Sequence, residues 1–161
     1  LAGLGRRFAA QPAKLALVTS SIAYEAHLVL GEIFRVLRSE IPAWPVPQGL
    51  RETLLGAFAV PLVFYDAVIT ATDSSEIRLK PHRDLYSIAL HELGVYPEDF
   101  DRVAGFEDSE SGTIAIRAAG IGLSCALPFA MTRGHHFQAA TQVCPGGLPQ
   151  VLLERGLFLD Q

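Results

Sequence analysis

Three short stretches of this 161-residue chain hold residue types able to do chemistry on a phosphoryl group. The first is "GFEDSESG", where Glu107, Asp108 and Ser109 follow a short apolar run and precede a glycine-bearing helix start. Two adjacent carboxylates at the end of a strand suit a hard cation such as Mg²⁺, which takes one or two carboxylates and keeps several waters. Helix capping by Asp108 or Ser109 explains the same residues, and one residue can do each job. The second stretch is "LALVTSS", in which an apolar strand ends in Thr19, Ser20 and Ser21. A hydroxyl there, followed by the N–H groups of a helix start, makes a phosphate cradle. An ordinary cap for a helix beginning near Ile22 is the alternative. The third is "LKPHRDLY", where Lys80 precedes Pro81 just before a helix starting around His82. Held there, its ammonium can neutralise a phosphoryl group. Left in solvent, it is an ordinary surface lysine.

The elements that must position these residues alternate. Strands are expected at Leu15–Val18, Asp66–Ala71, Val103–Phe106, Ile121–Ala126 and Gln142–Cys144. Helices are expected at Leu4–Ala10, Ala23–Arg38, Gly49–Phe58, Arg83–Leu93, Ser111–Ala119 and Leu148–Arg155. The spacing of Leu28, Ile33 and Leu37 marks the inner face of the long second helix, and that of Leu85, Ile88 and Ala89 the inner face of the fourth. Gly94 and Gly120 are the expected helix stops. Continuous apolar strands alternating with helices predict an α/β fold: a three-layer, Rossmann-like core with a mostly parallel sheet covered on both faces. Ligands collect outside the carboxyl ends of such strands. The hydroxyl and carboxylate clusters both fall there.

Together, in this order, the three stretches resemble the second, third and fourth motifs of the haloacid dehalogenase superfamily, in its β-phosphoglucomutase-like branch of phosphatases and phosphomutases. "LALVTSS" is similar to the second motif, "KPHRDLY" to the third and "GFEDSESGTIAIRAAGIG" to the fourth, which is the most specific. "LPFAMTRGHHFQAATQV" is similar to the segment leading to the family's last strand. The resemblance implies a Mg²⁺-dependent enzyme of phosphoryl transfer on a small phosphorylated metabolite, in particular a sugar phosphate. It implies that Thr19 binds the transferring group, helped by the Ser20 amide, and that Lys80 stabilises charge on that group and on the attacking carboxylate. It further implies Asp108 as metal ligand, Glu107 reaching the metal directly or through water, and Ser109 orienting the carboxylates.

The same family relies on a first motif, a strand ending in Asp-x-Asp, whose first aspartate forms an aspartyl-phosphate and whose second is the general acid and base. No such pair precedes Thr19. Asp99 and Asp101 have the spacing but lie before their strand, at its wrong end. The cap domain between the first two motifs is absent as well, and the chain begins with Leu1. The expectation is therefore a partial core, residues 1–161, inactive by itself. Its proline-rich insertion around 39–62, "IPAWPVPQGL" at its heart, reads as a surface insertion or as a substrate-edge or partner contact. The proline that the family usually carries near Arg83 is also lacking. A non-catalytic relative, using the fold for binding or assembly, is the alternative.

Bulk properties fit this reading. Half of the residues are apolar, 19 % are charged, and the net charge is -4 with no Lys or Arg run, which offers nothing to nucleic acid or an anionic membrane. The longest apolar run, Leu54 to Tyr65, carries Gly56 and Pro61 and falls short of the ~20 residues a membrane helix needs. Cys125 and Cys144 sit in apolar stretches and read as buried free thiols of a cytoplasmic protein. His135 and His136 are adjacent, so their side chains diverge and make no joint metal site. His27, His82 and His91 read as surface or helix-face residues, and Trp44 as a packing anchor for the insertion.

Overall fold

The structure, a computed structural model, describes residues 13–73, 76 and 78–153. Five short strands and six helices alternate: β1 (Ala16–Val18), α1 (Ala23–Glu40), α2 (Gln48–Ala57), α3 (Pro61–Phe64), β2 (Ala67–Ile69), α4 (Asp84–Glu92), β3 (Ala104–Glu107), α5 (Glu110–Ala118), β4 (Leu123–Ala126), β5 (Gln142–Val143) and α6 (Gly147–Leu153). Two 3₁₀ turns, Ile41–Ala43 and Pro97–Arg102, join them. The expected helix at Leu4–Ala10 lies outside the described residues, as does the end of the last helix.

The α/β architecture is the one the alternation predicts, and every strand pair is parallel. The strands form two sheets, however. β1 pairs with β2, Leu17 opposite Val68, and separately β3, β4 and β5 pair in that order, Phe106 opposite Cys125 and Cys125 opposite Gln142. β4 is apolar and small, and its Ser124, Cys125 and Ala126 are buried on both faces. One layer of helix spans both sheets: α4 packs on β1 and β2, α5 on β3 and β4, and the two helices on each other.

Two apolar clusters make this core. Tyr86 and Leu90 of α4 meet Ala115, Ile116 and Ala119 of α5, with Ile121 beyond it. Leu85, Ala89 and Leu93 cover Ala67 and Ile69 of β2. Val18 touches both clusters. Ile88, expected inside, packs at the margin.

The stops of α4 and α5 are alike. Gly94 and Gly120 take φ of +64° and +87°, a region open to glycine at little cost. The next residues donate back, Val95 N to Leu90 O and Ile121 N to Ile116 O, closing the six-residue bond of a Schellman motif. Each stop thereby aims an apolar residue, Val95 or Ile121, into the core.

The inner face of α1 differs from the expected one. Ala26, Leu30 and Phe34 are buried, whereas Leu28 and Ile33 are more than two-fifths exposed. Both sets satisfy helical spacing, and apolar residues ring most of this helix. The tertiary partner decides: Phe34 meets Phe58 edge-on at 5.2 Å and Phe64 at 5.5 Å. These rings come from the 39–62 region and the turn after it, so the proline-rich segment has a packed anchor in α1. Ile41 is fully buried there, and Trp44 is half-buried with its carbonyl taken by the Arg51 guanidinium.

No helix among the described residues is long and apolar enough to cross a membrane.

Candidate active site

Thr19 leaves β1 with its main chain fixed, its N–H donating to Ile69 O at 2.9 Å. Its hydroxyl oxygen accepts from the Ser21 N–H at 3.1 Å. It does not cap the following helix. Ile22 stands at the cap position with no side-chain bond, and the Ala23 N–H is taken by Thr72 Oγ1 at 3.2 Å. The Thr19 hydroxyl proton therefore remains available to an acceptor at the strand end. Ser20 beside it is exposed.

Lys80 is far from the solvated surface residue that lysine usually becomes. Its side chain is 11 % exposed, follows β2 by a loop, and precedes a cis peptide bond to Pro81. α4 begins at Asp84, one residue after the expected Arg83, and His82 N bonds back to Leu79 O in a turn before it. Arg78 then reaches Asp84 through its N–H and guanidinium and holds that carboxyl below the usual carboxylate range. Across the sheets, the Lys80 ammonium donates to Val18 O at 3.0 Å and pairs with Glu107 Oε1. It also lies 5.3 Å from the centre of the Tyr86 ring.

Glu107 ends β3 and is buried. Its Oε1 accepts from both Lys80 Nζ and the Tyr86 hydroxyl. Burial first, and the Glu107 charge second, push the Tyr86 hydroxyl well above its ordinary range, so it stays a donor. The other side of the carboxylate rests against the first turn of α5, where only Gly112 leaves room: a Cβ on residue 112 would overlap Glu107 Oε2.

Capping of α5 falls to Ser109, whose hydroxyl accepts from Gly112 N at 3.2 Å. Asp108 is thereby released from the capping role, is exposed, and bears no hydrogen bond or ion pair among the described residues. These groups share one groove of about 360 Å³, bounded by Leu17, Val18 and Thr19 on one side, by Phe106, Glu107, Asp108 and Leu127 on the other, and by Lys80. A second, apolar hollow lies between Gly56 and Phe64 and is lined by no ionisable group.

All three stretches singled out in the sequence thus meet at one place. Tyr86 and Gly112 join them and were not foreseen. The signal for Tyr86 was its place among Leu85, Ala89 and Leu90, since a buried tyrosine must find a partner for its hydroxyl. No histidine lines this groove: His135 Nδ1 accepts from Glu110 N at 3.3 Å, His82 Nδ1 lies 2.8 Å from the Asp84 carboxylate, and His27, His91 and His136 are exposed.

For a metal, the described residues supply no cluster of three or more His, Cys, Asp or Glu side chains. A hard cation binding with phosphate and water needs fewer, and the unengaged Asp108 carboxylate beside Glu107 fits that demand. Glu107 fits it less directly, because Lys80 and Tyr86 already hold one of its oxygens.

The α/β fold that carries this arrangement is similar to that of several solved structures. Among solved structures, CbbY from Rhodobacter sphaeroides in complex with phosphate superposes with a TM-score of 0.62 at 21 % identity, over 93 % of this chain and 53 % of that one. A variant of the same protein in complex with xylulose-(1,5)bisphosphate gives 0.59 at 22 % identity, over 89 % and 51 %. A protein from Thermotoga maritima assigned as a β-phosphoglucomutase gives 0.56 at 22 % identity, over 96 % and 56 %. The chain spans about half the length of these proteins. No family model and no curated protein matches the sequence.

Proposed function

We propose that this chain forms the phosphate- and Mg²⁺-holding side of a phosphoryl-transfer site that acts on a small phosphorylated metabolite, a sugar phosphate above all. The observation that carries the reading is the convergence of Thr19 and Asp108, from two separate strand ends, and of Lys80, from the loop before α4, on one groove. Phosphoryl transfer asks mostly for positioning and charge neutralisation, and these residues supply both.

Each group has a defined part. The Thr19 oxygen accepts from Ser21 N, which leaves its proton for a phosphoryl oxygen. In this reading the Ser20 amide adds a second donor. Lys80 uses two of its three ammonium protons on Val18 O and Glu107 and keeps the third for the phosphoryl group. Asp108 would hold Mg²⁺, with Glu107 reaching it directly or through water, and Ser109 fixes the turn that presents both. Bound there, Mg²⁺ neutralises charge on the phosphoryl oxygens. The attacking aspartate and the general acid-base aspartate belong to a strand outside residues 1–161, so the chain alone forms no aspartyl-phosphate.

The neighbours support this reading through the phosphate and the bisphosphate with which CbbY was crystallised. Calorimetric titration with inorganic phosphate, with and without Mg²⁺, tests it. Binding should depend on Mg²⁺, and should weaken at least tenfold in Thr19→Val and in Asp108→Asn. Heat that is absent, or unchanged in both variants, would leave the fold as a module for binding or assembly.

A further inference from the structure

Tyr86 is a buried titratable group beside the site that the phosphoryl-transfer reading leaves without a part. It packs with Leu90, Ala115, Ile116 and Ile121, a cluster that a phenylalanine would fill as well. The hydroxyl needs a partner there, because a buried unpaired donor is costly. Glu107 Oε1 is that partner. Burial, and then the Glu107 charge, keep the hydroxyl protonated, so it stays the donor.

Local structure puts Tyr86 where it acts on Lys80. The turn from Leu79 to His82 and the tie between Arg78 and Asp84 fold the segment so that residues 80 and 86 both meet Glu107. The Lys80 ammonium also lies 5.3 Å from the centre of the Tyr86 ring, within reach of its quadrupole. Glu107 is thereby confined on three sides. Lys80 and Tyr86 hold Oε1, and Oε2 faces Gly112, where a Cβ would overlap it. An ammonium carries three protons in a tetrahedral arrangement. With one on Val18 O and one on Glu107, the direction of the third is set. A carboxylate that swung toward Asp108 would take one of these acceptors away, and that direction would be lost.

We infer that Tyr86 is a positioning residue, whose hydroxyl keeps the Glu107 carboxylate on Lys80 and off the cation beside Asp108. This role rests on the phosphoryl-transfer reading above and narrows it. Of the two routes open to Glu107, direct or through water, the one through water is left. A carboxylate already paired with an ammonium also draws a divalent cation less strongly than the unengaged Asp108 does. Asp108 then meets the metal directly, and Lys80 offers its third proton to a phosphoryl oxygen in a fixed direction.

Tyr86→Phe keeps the ring and removes only the hydroxyl, so Glu107 is freed to turn toward the cation. Two affinities should then move in opposite directions. In calorimetry on the 161-residue chain, Mg²⁺ alone should bind about tenfold tighter, and inorganic phosphate at saturating Mg²⁺ about tenfold weaker. A merely structural loosening weakens both. Ile116→Val, which loosens the same cluster away from Glu107, is the control and should shift neither. A second measurement needs no metal: in NMR of the isotope-labelled Lys80 ammonium, its protons should exchange with water about tenfold faster in Tyr86→Phe. Faster exchange with no binding of Mg²⁺ or phosphate to either protein would uphold Tyr86 as the anchor of Lys80 and contradict the phosphoryl-transfer reading. Unchanged exchange, or measurable affinities that do not move in opposite directions, would overturn the positioning role.

Discussion

At the scale of single residues, the site is organised around an ion pair that is mostly out of water. Lys80 and Glu107 are 11 % and 7 % exposed, so losing one partner strands a buried charge. Lys80→Ala should cost about 3 to 5 kcal/mol in urea unfolding, while Lys80→Met with Glu107→Gln should recover much of that loss. Gly112→Ala tests the other wall of the Glu107 seat. Its Cβ must displace the carboxylate, and a destabilisation of about 1 to 3 kcal/mol is expected. Gly134→Ala, whose Cβ meets nothing within 4 Å, is the silent control. Thr19, Lys80 and Asp108 were legible in the sequence because each occupies a strand end or a helix start, a position that local pattern marks. The depth of the Lys80–Glu107 pair was not legible. It depends on Tyr86 and Val18, whose approach to Lys80 is set by packing between elements and not by any local spacing.

At the scale of elements, the turn between β3 and α5 divides labour between neighbours. Ser109 caps, Asp108 faces the groove, and Glu107 points inward. Ser109→Ala should therefore lower stability by about 1 kcal/mol, read as a shift in thermal midpoint, because α5 loses its only side-chain cap at that position. A stability unchanged by the substitution would return the capping role to Asp108. Strand and helix order could be read along the chain since apolar runs and left-handed glycines punctuate it clearly. The register of α1 could not, because Leu28 and Ile33 fit a helical stripe as well as Leu30 and Phe34 do. Only the rings of Phe58 and Phe64 choose between the stripes. The sheet's division into two likewise leaves no mark on local periodicity. β1 and β3 read as ordinary buried strands whether or not they pair.

At the scale of the whole molecule, a chain covering about half of each structural neighbour carries stretches similar to three of the four motifs that the sequence resemblance implies. Its activity follows from that inventory. The purified chain should show no turnover of p-nitrophenyl phosphate with Mg²⁺. Turnover that Asp108→Asn abolishes would show a nucleophile within residues 1–161. The central claim, that Thr19, Lys80 and Asp108 together bind a phosphoryl group with a metal, is tested most directly by mapping NMR shifts on the chain during titration with phosphate. With Mg²⁺ present, the predicted result is saturable shifts centred on Thr19, Ser20, Lys80 and Asp108, and much weaker ones without it. Shifts lying elsewhere, or indifferent to Mg²⁺, would contradict the account.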